Sequence, residues 1–247
     1  MSSVATPAAV AGRYRPAHVR ALFDTLAATY GWAGWLSAGL LGYWRRQLAQ
    51  ALPRPASQEE VFVVDLMAGG AELWPVLRRQ LGAGLRGAAV DFSAPMLARA
   101  APYAASPTAQ LTLYQANALA TPLPAGQADA VTCAFGLKTL LPADYLALAT
   151  EAARLLRPGG QVALVEFVLP DQGWWRPLVL TYLAVALLLF RWLHPAAARH
   201  AELPHYASGP VELAALRRAL AQAGFGRVRQ RRLWPGCAVL VTGQKMS

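Results

Sequence analysis

The chain has 247 residues, 55% of them hydrophobic and 15% charged, with a formal net charge of +10 and a pI near 10.3. That length suits one well-buried domain with an appended lid. The charge does not make a nucleic-acid stripe: the excess is almost entirely Arg, and Arg45-Arg46, Arg78-Arg79, Arg217-Arg218 and the run from Arg227 to Arg232 fall on separate elements, as solvated faces or as attraction to an anionic membrane surface.

Residues 1–17 are rich in Ala, Pro and Ser, lack the continuous apolar core of a secretory signal, and read as a mobile cytoplasmic tail. Residues 18–57 read as a helical cap across the mouth of the sheet that follows. Val19, Leu22, Phe23 and Leu26 recur at helix spacing, an aromatic and glycine-rich interruption spans Tyr30 to Gly34, and a second helix ends near Leu52 before Pro53-Arg54-Pro55. Tyr30, Trp32, Trp35, Tyr43 and Trp44 either line a pocket or pack the cap against the core.

The core, residues 58–169, opens on the stretch around which the rest is organised, Val61 to Trp74. A β-branched run suited to a strand buried on both faces breaks into Asp65-Leu66-Met67-Ala68-Gly69-Gly70-Ala71-Glu72 and then a helix. The paired glycines allow a ligand close to the backbone, but neither G-x-G-x-x-G nor the phosphate-cradling G-x-x-x-x-G-K-[ST] is present. Acids at this turn repel a pyrophosphate on a helix N-terminus and suit a ligand with an amino group and sugar hydroxyls, such as S-adenosylmethionine.

A second strand, Leu85 to Asp91, also ends in an acid, at the position where doubly wound sheets hold ribose hydroxyls. Ser93 and Pro95 carry the cap and first-turn signals of the next helix, which frees Asp91 for the ligand. The third strand, Gln110 to Gln115, runs into Asn117, whose amide offers donor and acceptor to an adenine edge. Asp129 to Phe135 is a fourth strand, Pro142 to Leu156 a helix, Arg157 to Gly160 a turn and Gln161 to Leu169 a fifth strand. Five alternations of strand and helix predict an α/β fold, a parallel sheet with helices on both faces.

Residues 170–210 leave this rhythm and read as an apolar lid or membrane-contacting insertion. Leu178 to Phe190 is thirteen residues without a charge, shorter than the roughly 20 that span a bilayer. It is a lid helix over an apolar substrate, an interfacial anchor with Trp174, Trp175 and Trp192 at headgroup level, or a buried helix. The localisation expected is cytoplasmic, peripheral at the inner face of the membrane. Residues 211–247 supply a last amphipathic helix, stopped by Gly224, and an antiparallel hairpin about Pro235-Gly236. The two cysteines, Cys133 and Cys237, lie far apart without metal spacing and read as buried apolar thiols.

Taken together, these motifs resemble the class I S-adenosylmethionine-dependent methyltransferases, in particular the C-methyltransferases of ubiquinone and menaquinone biosynthesis. Asp65 to Glu72 is similar to that family's D-x-x-x-G-x-G-[DE] loop, and Asp91-Phe92-Ser93 with Met96-Leu97 to its D-[FM]-S-x-x-M-L. Gln115-Ala116-Asn117-Ala118 with Pro122-Leu123-Pro124, Phe135-Gly136-Leu137, and Leu156-Arg157-Pro158-Gly159-Gly160 with Glu166-Phe167 follow in the family's order. The likeness runs from about Val19 to Gly160 and resumes weakly after Val211.

The resemblance implies a Rossmann-like, seven-stranded, mostly parallel sheet with an antiparallel last hairpin and an N-terminal helical cap. It implies S-adenosyl-L-methionine bound by Asp65, Met67, Ala68, Gly69, Gly70, Glu72, Asp91, Phe92, Met96, Asn117, Ala118 and Ala134. The acceptor expected is a lipophilic small molecule, such as a quinol or another aromatic ring carbon. O- or N-methylation of a small lipophilic metabolite, and a non-catalytic cofactor-binding or partner-binding protein, stay open.

The chain departs from the family at Ala71, which replaces the second loop glycine and is tolerated there at negative φ but strained at positive φ, and at Gly31, Lys138 and Thr139. No metal is required for methyl transfer, which needs an acceptor held in line and dry. A carbon or phenol acceptor must lose a proton, and Lys138, with a pKa lowered by burial, is the base expected; the alternative is an exposed lysine at a helix start. Tyr30, His205 and Tyr206 are further candidates for the base.

Overall fold

The computed structural model describes residues 16–28, 30–31, 37–53, 60–106, 110–169, 177–179, 181–182, 184–185, 188 and 211–246. The tail before residue 16, Trp32, Trp35, Trp174, Trp175, Trp192, His205 and Tyr206 lie outside them. Helix α1 is Pro16–Leu26 and α2 is Leu40–Ala51. The alternating core follows as β1 (Val61–Leu66), α3 (Trp74–Leu81), β2 (Leu85–Asp91), α4 (Ala94–Ala104), β3 (Leu111–Gln115), β4 (Ala128–Ala134), α5 (Tyr145–Leu155) and β5 (Leu156–Phe167). Helix α6 (Leu213–Gln222), β6 (Phe225–Leu233) and β7 (Ala238–Lys245) close the chain.

The seven strands form one sheet in the order β3-β2-β1-β4-β5-β7-β6. Strands β1 to β5 pair in parallel, and β7 inserts antiparallel between β5 and β6. The chain reverses direction in strand order on either side of β1, so the carboxyl ends of β1, β2 and β4 open a crevice, which is where such sheets hold ligands.

Strand periodicity splits the core into two layers. Val64 and Leu66 point to the face covered by α5 and α6, where Tyr145, Leu148, Leu216 and Leu220 are buried. Val63 points to the other face, against Trp44 and Leu48 of α2 and Trp74 and Leu77 of α3. Asp65 shares the parity of Val63, so the strand itself turns this carboxylate toward α2.

Local signals set most boundaries. Ser93 Oγ accepts from the Met96 amide at 3.3 Å, with Pro95 in the first turn, so Ser93 caps α4 as expected. Two expectations shift. The helix expected from Pro142 starts as a 3-10 turn, Pro142–Asp144, before α5. Arg157 to Gly160 is not a turn ahead of a strand but a bulge inside β5: pairing moves from Ala128↔Leu156 to Ala130↔Gln161, with Gly159 at φ +76° absorbing the extra residues. Both cysteines are buried and free. No helix among the described residues is long and apolar enough to cross a membrane.

Candidate active site

A pocket partly open to solvent lies at the carboxyl ends of β1, β2 and β4. Asp65, Met67, Ala68, Gly69, Glu72 and Leu73 of the turn after β1 form its floor, Asp91 and Met96 one side, and Ala134, Phe135, Gly136 and Thr139 the other. Phe23, Tyr30 and Arg45 of the cap cover it. Phe23 meets Tyr30 at 6.3 Å and Phe92 edge-on at 6.4 Å between ring centroids, which seats the cap on the β2–α4 turn. The Ser93 hydroxyl donates to Asp24 of α1 at 2.5 Å and adds a polar clasp to the same contact.

The turn after β1 is set by backbone hydrogen bonds. Ala68 N–H donates to Val90 O at 3.0 Å, and Gly69 N–H donates to Asp91 Oδ2 at 2.8 Å. Met67, Gly69 and Ala71 all have left-handed φ, at +55°, +57° and +54°. Of the two cases open to Ala71, the structure takes the strained, positive one. Its methyl is fully buried, and its backbone carries a strain that glycine would not, of about 1 kcal/mol. Gly70 is not on the wall; a Cβ there would stand 2.6 Å from Glu72 Oε1, so its bareness makes room for that carboxylate. Gly136 does the same across the cavity, where a Cβ would meet Met67 Sδ at 2.8 Å and Cys133 Sγ at 2.9 Å.

Asp91 Oδ1 accepts from Ser93 N–H at 2.9 Å, so each of its oxygens holds a backbone donor, with Phe92 N–H adding to them, and the carboxylate lines the cavity with acceptor capacity to spare. Burial raises its pKa although these donors oppose the rise. Asp65 Oδ1 accepts from Thr132 Oγ1 at 2.7 Å; burial raises this carboxyl to about 7, with the Thr132 bond acting against it. Both acids are pre-positioned and under-solvated, which fits hydroxyl and ammonium donors on a ligand.

Glu72 stands between Arg45, at 3.9 Å, and Arg99, at 3.7 Å, beyond hydrogen-bond reach of either, and its Oε1 is buried with no hydrogen-bond partner. Arg45 is the residue that the sequence reading misplaced. Instead of a solvated face, it is a cavity wall, its side chain 11% exposed and its guanidinium 5.5 Å above the Phe135 ring. The signal was present: Trp44 and Leu48 form the buried stripe of α2, and Arg45 is the next residue round from it. Phe23, Leu73, Phe135, Gly136 and Thr139 are the other wall residues not singled out as site residues.

Asn117, Ala118, Phe92 and Lys138 are not on the cavity wall. Asn117 is exposed, and its Oδ1 accepts from Leu119 N–H at 3.0 Å in a local turn. The acceptor half of the expected adenine contact is therefore engaged with backbone. Ala118 is buried in the core beneath α5. Lys138 is buried rather than an exposed helix-start lysine. Its N–H donates to Glu166 Oε2 at 3.2 Å, and its ammonium lies 4.8 Å above the Phe167 ring. Burial lowers Lys138 to about 8, against the pull of Glu166, and raises Glu166 to about 7, against the pull of Lys138. Trp44 touches both Phe135 and Phe167, at 6.2 and 6.1 Å between centroids, so one aromatic cluster joins the cavity wall to the ring beneath Lys138. Tyr30 does line the cavity, but burial pushes its phenol up to about 12; it is a hydrogen-bond donor at neutral pH, not the base that was expected as an option.

Among the described residues no group of three or more His, Cys, Asp or Glu side chains is placed to hold a metal ion. Residues 63–160 match a family model described as a methyltransferase domain. The demethylmenaquinone methyltransferase of Mycolicibacterium gilvum is 31% identical over 235 residues, covering 93% of this chain and 96% of that protein. The demethylmenaquinone methyltransferase of Thermus thermophilus is 37% identical over 139 residues, 56% of this chain and 60% of that protein. Among solved structures, geranyl diphosphate C-methyltransferase from Streptomyces coelicolor, in complex with S-adenosyl-L-homocysteine, superposes with a TM-score of 0.57 at 14% identity, over 82% of this chain and 78% of that one. Human N-acetylserotonin methyltransferase in complex with SAM superposes with a TM-score of 0.59 at 16% identity, over 92% and 59%.

Proposed function

This chain belongs to the methyltransferase family that includes the demethylmenaquinone methyltransferases, and we propose that within it the protein methylates a ring carbon of a lipophilic quinol. It is a class I enzyme that uses S-adenosylmethionine. The observation that carries the reading is the pair Asp65 and Asp91, fixed at the carboxyl ends of adjacent parallel strands on one cavity. The residues fit the cofactor: Asp91 offers its remaining lone pairs to ribose hydroxyls, and Asp65 suits an ammonium that restores its ionised form.

When bound, S-adenosylmethionine supplies an electrophilic methyl on a sulfonium, so that one ring C–H is exchanged for C–CH₃ with a neutral thioether and one proton released. The protein holds the acceptor in line and excludes water. Phe135 on the cavity wall, backed by the rings of Trp44 and Phe167, suits an aromatic, apolar acceptor. We assign the base to Lys138, which is not on the wall itself but precedes Thr139 that is; its amine, largely deprotonated above about pH 8, takes the hydroxyl proton of a quinol that extends past the wall, which enriches the ring carbon in electrons. Tyr30, kept as a neutral phenol, donates to the acceptor's oxygen.

The inference extends to the membrane. Leu178, Tyr182, Val185 and Leu188 are each helical and exposed, and in sequence they stand at intervals of four, three and three residues, the spacing of one helix face. Such a face supports reading the 170–210 insertion as a lid that meets lipid when it collects a lipophilic acceptor. In vesicle flotation, Leu178→Asp with Leu188→Asp should release the protein from anionic liposomes; equal flotation of the folded variant refutes this part.

The activity is tested by incubating the enzyme with methyl-labelled S-adenosylmethionine and a prenylated naphthoquinol or benzoquinol lacking the ring methyl. Label should enter the quinol as a carbon-bound methyl and not the oxidised quinone. Label found only on oxygen or nitrogen, or in neither ring, overturns the ring-carbon reading.

A further inference from the structure

We propose that Arg45 receives the carboxylate of the cofactor's amino-acid end, with Glu72 and Arg99 holding it ready, which makes Arg45 a determinant of selectivity for the carboxylate-bearing ligand. The inference rests on the cofactor reading above and assigns the part of the ligand that the strand-end acids leave unmatched.

Charge on the cavity wall leads to this assignment. Asp65, Glu72 and Asp91 are acids, and Arg45 is the one basic side chain on the wall among the described residues. A ligand with a free carboxylate meets repulsion everywhere except at Arg45 or at bare backbone N–H groups. Direction agrees with charge. If Asp91 at the end of β2 takes the ribose, the rest of the ligand extends over β1 toward β4, where Phe135 lies directly under the Arg45 guanidinium at 5.5 Å.

The cluster around Arg45 is incomplete. Glu72 lies 3.9 Å from Arg45 and 3.7 Å from Arg99, and a hydrogen-bonded ion pair closes to about 2.7–2.9 Å. Glu72 Oε1 and Arg99 Nε are both buried without a hydrogen-bond partner. A buried cation held short of its counter-ion is costly, and it fits a bidentate carboxylate arriving from the cavity. The geometry thus keeps Arg45 near Glu72 for orientation without letting Glu72 consume its donors.

The test compares binding of S-adenosylmethionine with that of its decarboxylated form by calorimetry. The decarboxylated form keeps the nucleoside, sulfonium and ammonium and lacks only the carboxylate. Wild type should prefer S-adenosylmethionine by about 10- to 100-fold, as loss of a charge-assisted bond implies. Arg45→Gln should erase that preference by weakening S-adenosylmethionine alone, leaving the decarboxylated ligand within about twofold, and Arg45→Lys should restore part of it. Equal wild-type affinity for the two ligands overturns the proposal whatever the variants do. An Arg45→Gln protein that keeps the preference, or weakens both ligands equally, overturns it too. Wild type that binds neither ligand refutes the cofactor reading itself, and the proposal with it.

Discussion

Binding of S-adenosylmethionine should be linked to the ionisation of Asp65. Burial raises this carboxyl from 3.8 to about 7, because its one side-chain donor, Thr132 at 2.7 Å, does not replace the water it lost. An acid with a raised folded pKa contributes stability that is full below its unfolded pKa and is lost as pH rises through the folded one. The free enzyme should therefore lose stability between about pH 4 and pH 7, by at most roughly 4 kcal/mol from this group. A ligand ammonium beside Asp65 favours the carboxylate, so binding below pH 7 must expel a proton. The dissociation constant should rise about tenfold for each pH step below about 7 and level off above it. Calorimetry at pH 6 in two buffers of different ionisation enthalpy should report close to one proton released, and Asp65→Asn should abolish both the release and the slope. A pH-independent affinity from 5.5 to 7.5 in wild type, or a slope that survives in Asp65→Asn, refutes this account.

Three further outcomes follow from named contacts. Asp91→Asn keeps one acceptor but turns an amide donor toward Gly69 or Ser93 N–H; it should cost about 2 kcal/mol and 4–8 °C in thermal midpoint, and weaken S-adenosylmethionine by about 30-fold or more in calorimetry. Lys138→Met should leave cofactor binding within about twofold while turnover falls by about 100-fold or more. The wild-type rate should climb as pH rises to about 8 and then flatten, since the base acts in its neutral form; a flat pH profile argues against Lys138. Glu151 is buried, which alone raises its pKa, but bonds from Arg154 Nε and Nη2 at 2.7 Å and from Thr121 outweigh that and leave it lowered. Its contribution is present above the unfolded carboxylate pKa and lost in acid, so Glu151→Gln should cost about 2 kcal/mol at pH 7 and little near pH 3, read by denaturant unfolding.

The sheet and the cofactor turn were legible because their determinants are local. A β-branched run ending in an acid, paired glycines and a serine–proline start are signals within a few residues, and β1, β2 and α4 form where those signals stand. The misread features depend on what arrives from elsewhere in the chain. Arg45 is a wall residue only because the stripe of α2 formed by Trp44 and Leu48 docks beside the end of β4. The burial of Lys138 needs Glu166 and Phe167, which come from the next strand. Asn117 carries the groups an adenine edge needs, and a bond from Leu119 N–H two residues on takes one of the two lone pairs of its oxygen. The sign of the Ala71 φ is not written in its residue type: alanine prefers a negative φ, and the turn imposes the positive one at a cost.

Two kinds of cost meet around the cavity, and they respond differently to a ligand. Met67, Ala71 and Phe135 sit at left-handed φ without being glycine, each at about 1 kcal/mol or more. For two of them that strain accompanies backbone bonds of the fold itself: Ala71 N–H is bonded to Ala68 O and Phe135 N–H to Val165 O. The charge costs are the reverse. Asp65 is under-solvated and Glu72 Oε1 unpartnered, and a donor such as an incoming ammonium answers both. The backbone shape of the site is therefore settled before binding, and the cofactor is recognised mainly by how it completes the charges. This is the division expected of an enzyme that must align a methyl group with little reorganisation during transfer.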